Sequence, residues 1–335
     1  LAAVVDIADG DSEIVHDHGR TLGCEQFGMA SADTLAGSGH DRHLAVECTH
    51  HSSTSPFRTF LIRCQKLVGV GGNRGHDSSE RCTTTEGTAL NPGTGRTLPG
   101  SLASTAAEAE ARGAVCHTVV ADILDLDDVA DSYARCRAAA GRPISLLVNN
   151  AVYVGPGNDV LFHLGEPADI RKRVDGNITS PMLLTHAFLH EAVDLEPDAR
   201  TGLRATILNV TSDAGRRTPG RVAGKGGWSL MYAATKGGFH RMADMLALEY
   251  GDVGIRALNV NPGLVATERV LDFGPEMSWI SDNGVHPLVV GDACVRMIVD
   301  PLVGNGAYVH AQDYLREVLG DEDYEAFTAR HRSTQ

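Results

Sequence analysis

Tyr232 and Lys236 stand four residues apart in the run Tyr232-Ala-Ala-Thr-Lys236, a spacing that puts both side chains on one face of a helix. An ammonium beside a phenol favours the phenolate, so the pair predicts a tyrosine whose pKa is drawn down toward working pH and which exchanges a proton with a ligand. Taken alone, tyrosine and lysine at helical spacing are common on solvated faces. Here they have company: Ser212 follows one apolar run, Asn149-Asn150-Ala151 ends a second, and Asn259-Val-Asn-Pro-Gly263 ends a third, while Asn177 precedes a helical stretch. Hydroxyl, amide, phenol and ammonium groups at such positions suit acid–base work on a polar oxygen.

These residues need a scaffold, and the periodicity supplies one. Strands are expected at Val115 to Val120, Ile144 to Val148, Ala205 to Val210 and Ile255 to Val260, with a last one around Ala307-Tyr308-Val309. Helices are expected at Leu126 to Ala140, Met182 to Val193, Ser229 to Tyr250 and Pro287 to Val299. Strands alternating with crossover-length helices mean an α/β fold, a doubly wound parallel sheet of Rossmann-like type, whose flat apolar strands are covered on both faces. Ligands of such a sheet collect beyond the carboxyl ends of the strands, which is where Asn149-Asn150, Ser212 and Asn259 to Gly263 fall.

The first hundred residues have another texture, with no clear amphipathic helix before Ser101 and one convincing strand, about Leu61 to Val70. The expected organisation is a single domain over 61–311 with an irregular or disordered extension at 1–60 and a helical tail at 312–335. A misplaced start or a shifted reading frame would produce the same texture in the extension and in the stretch up to about residue 104.

From about Ser104 to about Tyr308 the chain resembles the short-chain dehydrogenase/reductase family in its compact single-domain branch. The resemblance rests on Asp122 after a strand, Asn149-Asn150-Ala151, Asn177, Ser212 in Asn-Val-Thr-Ser, Tyr232-x-x-x-Lys236, and Pro262-Gly263 followed by Thr267. It implies an NAD(P)-dependent oxidoreductase that interconverts an alcohol and a carbonyl on a small organic substrate. In that reading Tyr232 is the general acid/base, Lys236 lowers its pKa and holds the nicotinamide ribose, Ser212 orients the substrate oxygen, and Asn177 positions a water linked to Lys236. Asp122 and Ile123 are then expected at the adenine, Asn150 on the adenosine side, and Val265 with Thr267 at the carboxamide. Val152 departs from the family's usual glycine after Asn-Asn-Ala, as in a subset with a tyrosine close behind, here Tyr153.

A larger departure lies upstream. The family expects a glycine-rich turn that lets the backbone approach the pyrophosphate. The nearest match is Val70 to Asp77, in which Gly71, Arg74 and Gly75 fit while Asp77 sets a carboxylate where a glycine belongs. The match lapses after Gly75 and resumes near Thr94. A basic residue after the second strand accepts the 2′-phosphate of NADP, whereas an acidic one binds the 2′-hydroxyl of NAD. Arg96, with Arg74 opposite, therefore points to NADP, with NAD as the alternative. Two rival readings remain: a catalytically silent relative that binds or regulates, on account of the damaged phosphate loop, and a lyase or epimerase related to larger sugar-nucleotide enzymes.

Ser212 and Tyr232 are 20 positions apart, wider than the family commonly allows. The intervening run, Gly215 to Trp228, carries Arg216, Arg217, Arg221 and Lys225. It reads either as a lid selecting an acidic or polar carbonyl compound or as an ordinary solvated loop.

Composition limits the alternatives. The 335 residues carry a formal net charge of −14, a field that repels phosphate and argues against nucleic acid or an acidic membrane surface. No apolar run reaches the roughly 20 residues of a membrane helix, and Leu1 to Val5 lack the basic flank of a secretory signal. Seven scattered cysteines fit free thiols in a reducing compartment, so a cytoplasmic protein is expected. His40, His43, Cys48, His50 and His51 are metal-ligand types without the paired spacing of a zinc site, and no metal is implied. The expected partner is a small-molecule alcohol or carbonyl, and the resemblance also allows a homo-oligomer.

Overall fold

Alternate residues of the inner strands point into two different cores, as the twofold pleat of a strand requires. The computed structural model describes residues 2–7, 14–16, 20–22, 57–64, 88–90, 97–111, 114–155, 157–199, 201–267 and 278–332. Its main sheet has seven strands. In chain order these are β1 (Ala2–Ile7), β2 (Phe57–Cys64), β3 (Val115–Ala121), β4 (Leu146–Asn149), β5 (Ala205–Val210), β6 (Ile255–Asn261) and β7 (Tyr308–His310). Across the sheet they run β7-β6-β5-β4-β1-β2-β3. On one face, Leu147, Ile207 and Ala257 pack with Tyr133, Phe188 and Ala243. On the other, Leu146, Leu208 and Leu258 pack with Val289, Met297, Leu315 and Phe327. Every residue of β6 is buried, as expected of a strand covered on both faces.

The helices covering the first face are α1 (Leu126–Ala140), α2 (Ser180–Ala192) and α3 (Leu230–Tyr250). Those over the second are α4 (Pro287–Val299), α5 (Ala311–Leu319) and α6 (Asp321–Arg332). Local sequence explains their ends. Asp125 caps α1 by accepting the Asp128 N–H at 3.1 Å, and Asp127 and Asp128 occupy its positive first turn. Ser229 caps α3 by accepting the Tyr232 N–H at 3.2 Å, which sets the angular phase of Tyr232 and Lys236 together.

The pairing of β4, β5, β6 and β7 is parallel throughout, as is that of β2 with β3. The exception is β1, antiparallel to both neighbours, with Ala2 opposite Asn149 on one side and Ile62 on the other. Two expectations bear on this region. Residues 2–7 and 57–60 form strands of the main sheet, where the sequence suggested an irregular extension over 1–60. Of the strand expected at about Leu61 to Val70, the described part belongs to Phe57–Cys64, which lies one position away from β4 with β1 between, and the remainder lies outside the described residues. It pairs with β3 from Arg58 opposite Val115 through Cys64 opposite Ala121.

Asn177 lies before α2, as expected, but inside a helical run of its own. The segment Asp175–Thr179 is a single π-helical turn between Pro167–Val174 and α2, the kind of helical bulge that redirects a side chain inward, and Asn177 is buried within it.

Phe188 is fully buried on α2, and its ring meets Tyr133 edge-on at 6.1 Å between centroids. Phe188→Ala should lower the unfolding free energy by about 3–5 kcal/mol, whereas Leu248→Ala on the exposed face of α3 should change it by less than about 0.5 kcal/mol. Denaturant melts of both variants give the comparison, and equal effects would mean that α2 does not pack as described.

Candidate active site

Because β3, β4, β5 and β6 are fixed in the same direction, directly or through the sheet order, their carboxyl ends deliver Asp122, Asn149-Asn150, Thr211-Ser212 and Asn261-Pro262-Gly263 to one edge. Helix α3 packs against β5 and β6 and carries its first two turns past that edge. Ser212 and Tyr232, 20 positions apart in the chain, come together there, the serine hydroxyl favouring the phenolate. The Ser212 Oγ also accepts the Ala214 N–H at 3.2 Å as the cap of a short turn, Asp213–Gly215. Close approach explains Gly215: a Cβ at that position would lie 2.6 Å from the Lys236 carbonyl oxygen, so only glycine lets the turn lie on α3.

Lys236 is buried, and its ammonium donates to the Val210 carbonyl at 2.9 Å and lies 5.3 Å from the Phe239 ring centroid. Burial depresses its pKa to about 8. Tyr232 departs from expectation. Burial holds its phenol above the ordinary value, and the hydrogen bond with Ser212 pulls the other way. The lowered phenol pKa foreseen from the four-residue spacing is therefore corrected: the ammonium spends its short contact on the strand carbonyl, and desolvation dominates.

Asn177 is brought to the same place by a different contact from the one foreseen. Its Oδ1 accepts the Tyr153 N–H at 2.6 Å and its Nδ2 donates to the Tyr153 carbonyl at 2.9 Å, with Thr235 Oγ1 at 3.5 Å. The amide thus pairs like a peptide group with the loop that follows Asn149-Asn150-Ala151 and touches α3 one residue before Lys236. Asn149 is spoken for as well, since its buried Nδ2 donates to Thr185 Oγ1 and Asn209 Oδ1, each at 3.0 Å. Of the two adjacent asparagines, Asn150 is the half-buried one at the strand end.

At the flanks, Asp122 Oδ1 accepts the Leu124 N–H at 2.9 Å, and Ile123 is buried. Val265 pairs with Val285 in a parallel bridge, and the Thr267 N–H donates to the Val265 carbonyl at 3.0 Å. The turn before them depends on Gly263, at φ +70° and so close to Gln312 that a Cβ would be 2.4 Å from its Nε2. That Nε2 donates to the Pro262 and Leu264 carbonyls at 2.8 and 3.0 Å, so α5 holds the turn. Gly71, Arg74, Gly75 and Arg96 lie outside the described residues, as do Asp77 and the group His40, His43, Cys48, His50 and His51. Among the described residues no cluster of three or more His, Cys, Asp or Glu could hold a metal ion, and no helix is long and apolar enough to cross a membrane.

The sequence reading missed Asp213 and the contact it makes with Tyr308 and, through that ring, Arg216. Tyr308, on β7, donates its hydroxyl to Asp213 Oδ1 at 2.5 Å, and the Arg216 guanidinium stacks over its ring at 4.0 Å. The hydrogen bond from Tyr308 holds the Asp213 carboxyl below its usual range, and burial followed by the Asp213 contact pushes the Tyr308 phenol up to about 12. This ties the last strand to the residue after Ser212. A separation of 95 positions hides that pairing, and only the topology reveals it.

The family model described as short chain dehydrogenase matches residues 95–277, more than half of the chain, and the chain belongs to that family. It is 29% identical over 213 residues to the oxidoreductase UcpA of Escherichia coli, a match covering 63% of this chain and 74% of that protein. Identity to glucose 1-dehydrogenase 2 of Bacillus subtilis is 28% over 135 residues, 40% of this chain and 46% of that protein. The match thus spans about half the length of the Bacillus enzyme. Among solved structures, a short chain dehydrogenase of Burkholderia cenocepacia in complex with NADP superposes with a TM-score of 0.51 at 22% identity, covering 62% of this chain and 80% of that one. A 3-oxoacyl-[acyl-carrier protein] reductase of Brucella melitensis in complex with NAD gives 0.51 at 19% identity, covering 62% and 81%. Both show the shared fold.

The buried Lys236 has a consequence for stability. Its folded pKa of about 8 lies below the unfolded value of about 10.4, so between those values the unfolded chain binds the extra proton. Unfolding free energy should therefore gain up to about 1.4 kcal/mol per pH unit across that window, and Lys236→Met should lack the gain. Chemical denaturation from pH 7 to 10 on both proteins measures it; parallel profiles would mean that Lys236 is solvated.

Proposed function

We propose that this chain is an NAD(P)-dependent oxidoreductase that interconverts an alcohol and a carbonyl on a small organic substrate, with Tyr232 as general acid/base. The observation that carries the reading is the approach of Ser212 to Tyr232 at the carboxyl edge of the sheet, with Lys236 buried one turn further along α3. In reduction, the Tyr232 O–H donates its proton to the carbonyl oxygen. A phenol kept protonated at neutral pH by burial suits that direction. The Ser212 hydroxyl, which accepts the Ala214 N–H and sits beside Tyr232, is placed to orient the substrate oxygen. The phenolate left behind is stabilised by the Lys236 ammonium across a dry interior, where charge attraction is stronger than in water. Asn177 and Asn149 keep the loop and strand ends in place.

A nicotinamide held here would supply or accept the hydride. The described residues fit such a cofactor on its ribose and nicotinamide side: Lys236 as a cation for ribose hydroxyls, Asn150 as a half-buried amide at a strand end, and Val265 and Thr267 on a turn braced by Gln312. Asp122 and Ile123 would meet the adenine. Gly71 and Gly75 would approach the pyrophosphate, and Arg74 and Arg96 would favour NADP over NAD by accepting the 2′-phosphate. The relatives crystallised with NADP and with NAD support a dinucleotide of this kind.

Titration of the full chain with NADPH and NADH, read by tryptophan fluorescence and thermal shift, should show binding of both with NADPH the tighter. Tyr232→Phe should keep that binding and lose about 10²–10⁴-fold in turnover of a reducible carbonyl. Binding of neither cofactor would favour the silent relative over the enzyme.

A further inference from the structure

An open cleft of about 710 Å³ lies against the mouth of the site, a size typical of small-molecule pockets. One wall is Ala214 to Ala223, directly after Ser212; another is Trp228 to Leu230 with Ala233, on either side of Tyr232; Val160, Leu161 and Phe162 close the third. Leu161, Phe162, Val222 and Leu230 present exposed apolar surface there. Three cations, Arg216, Arg217 and Arg221, also line the cleft, and among the described residues no carboxylate does. This is unexpected in a chain of net charge −14.

The arginines differ in what holds them. Arg216 is stacked on Tyr308 at 4.0 Å. Arg217 meets the Asp213 carboxylate at 3.3 Å, yet its side chain stays 74% exposed. Asp213 is already engaged by the Tyr308 hydroxyl, so its charge is shared. Arg221 is exposed and forms no ion pair among the described residues. Guanidinium groups recognise planar oxyanions through paired N–H donors, and the apolar wall opposite suits a hydrocarbon body.

Resting on the oxidoreductase reading, we propose that the cleft selects carbonyl compounds with an apolar body and an oxyanion end, a carboxylate or a phosphate, gripped by Arg217 and Arg221 while the carbonyl faces Ser212 and Tyr232. The extra chain between Ser212 and Tyr232 is then a specificity element.

The test measures binding apart from turnover. Calorimetry without reduced cofactor compares para-formylbenzoate, para-formylphenyl phosphate and the neutral methyl ester of para-formylbenzoate. At least one oxyanion should bind about tenfold tighter than the ester, as expected for one charge-assisted contact, and whichever does names the oxyanion. The double variant Arg217→Ala/Arg221→Ala should bring the ratio close to one, and Arg217→Lys/Arg221→Lys should recover part of it; circular dichroism checks that both variants fold. An ester that binds as tightly as both oxyanions, or a preference that survives the alanine variant, overturns the proposal. NADPH consumption is followed in parallel. Oxyanion binding through the arginines without turnover leaves the subsite standing and removes the oxidoreductase reading, whereas turnover without oxyanion preference does the reverse.

Discussion

A buried ammonium is the constraint around which the site is arranged. Lys236 is largely removed from water, and its described short contact is the Val210 carbonyl at 2.9 Å. Burying a charge without good partners is costly, so the contact holds only if the end of β5 and the first turns of α3 keep their spacing. Much else serves that spacing. Ser229 starts α3 at the right residue, Gly215 lets the turn after Ser212 lie directly on the Lys236 backbone, and the dry strands β5 and β6 give α3 a rigid floor. The depressed lysine and the elevated tyrosine are two results of one desolvated seam.

Strand-end amides do the rest of the bracing. Asn149 links β4 to α2 and β5 through Thr185 and Asn209, and Asn259 donates from β6 to the His240 carbonyl on α3 at 2.9 Å. Asn177 imitates a peptide unit toward Tyr153. Buried amides with several satisfied bonds specify one arrangement more sharply than apolar packing does. They explain why asparagine recurs where strands end in this chain, including positions that touch no ligand.

How much of this could be read in advance followed from how local the cause was. Leu126–Ala140, Ala205–Val210 and Pro287–Val299 were legible to the residue because caps, apolar runs and a leading proline lie within the segment itself. The clustering of Ser212, Tyr232 and Lys236 was legible because strand ends and helix phase follow from periodicity. Ala2–Ile7 was not: a six-residue run holding Asp6 could be any surface segment, and its place between β4 and β2 depends on partners 50 or more positions away. The phenol of Tyr232 was misjudged for a similar reason, since the four-residue spacing reports a neighbour while burial depends on the whole fold. Tyr308 with Asp213 was invisible to any pattern within one element.

A long insertion beside a catalytic pair usually carries a cost, because a mobile loop blurs the geometry that acid–base work requires. Here the loop is tied at both ends. At its start, Asp213 is held by Tyr308 from strand β7, two strands across the sheet from β5, and by Arg217 from within the loop. At its end, Ser229 both caps α3 and donates to Asn158 Oδ1 at 2.9 Å, and Asn158 also accepts from the buried Arg173 at 3.1 Å. Motion in the middle of the loop, around Gly220 and Arg221, therefore need not reach Ser212 or Tyr232. Such a division lets one part of the chain vary in what it recognises while the pair that moves the proton keeps its geometry. It also locates selectivity in side chains outside the sheet.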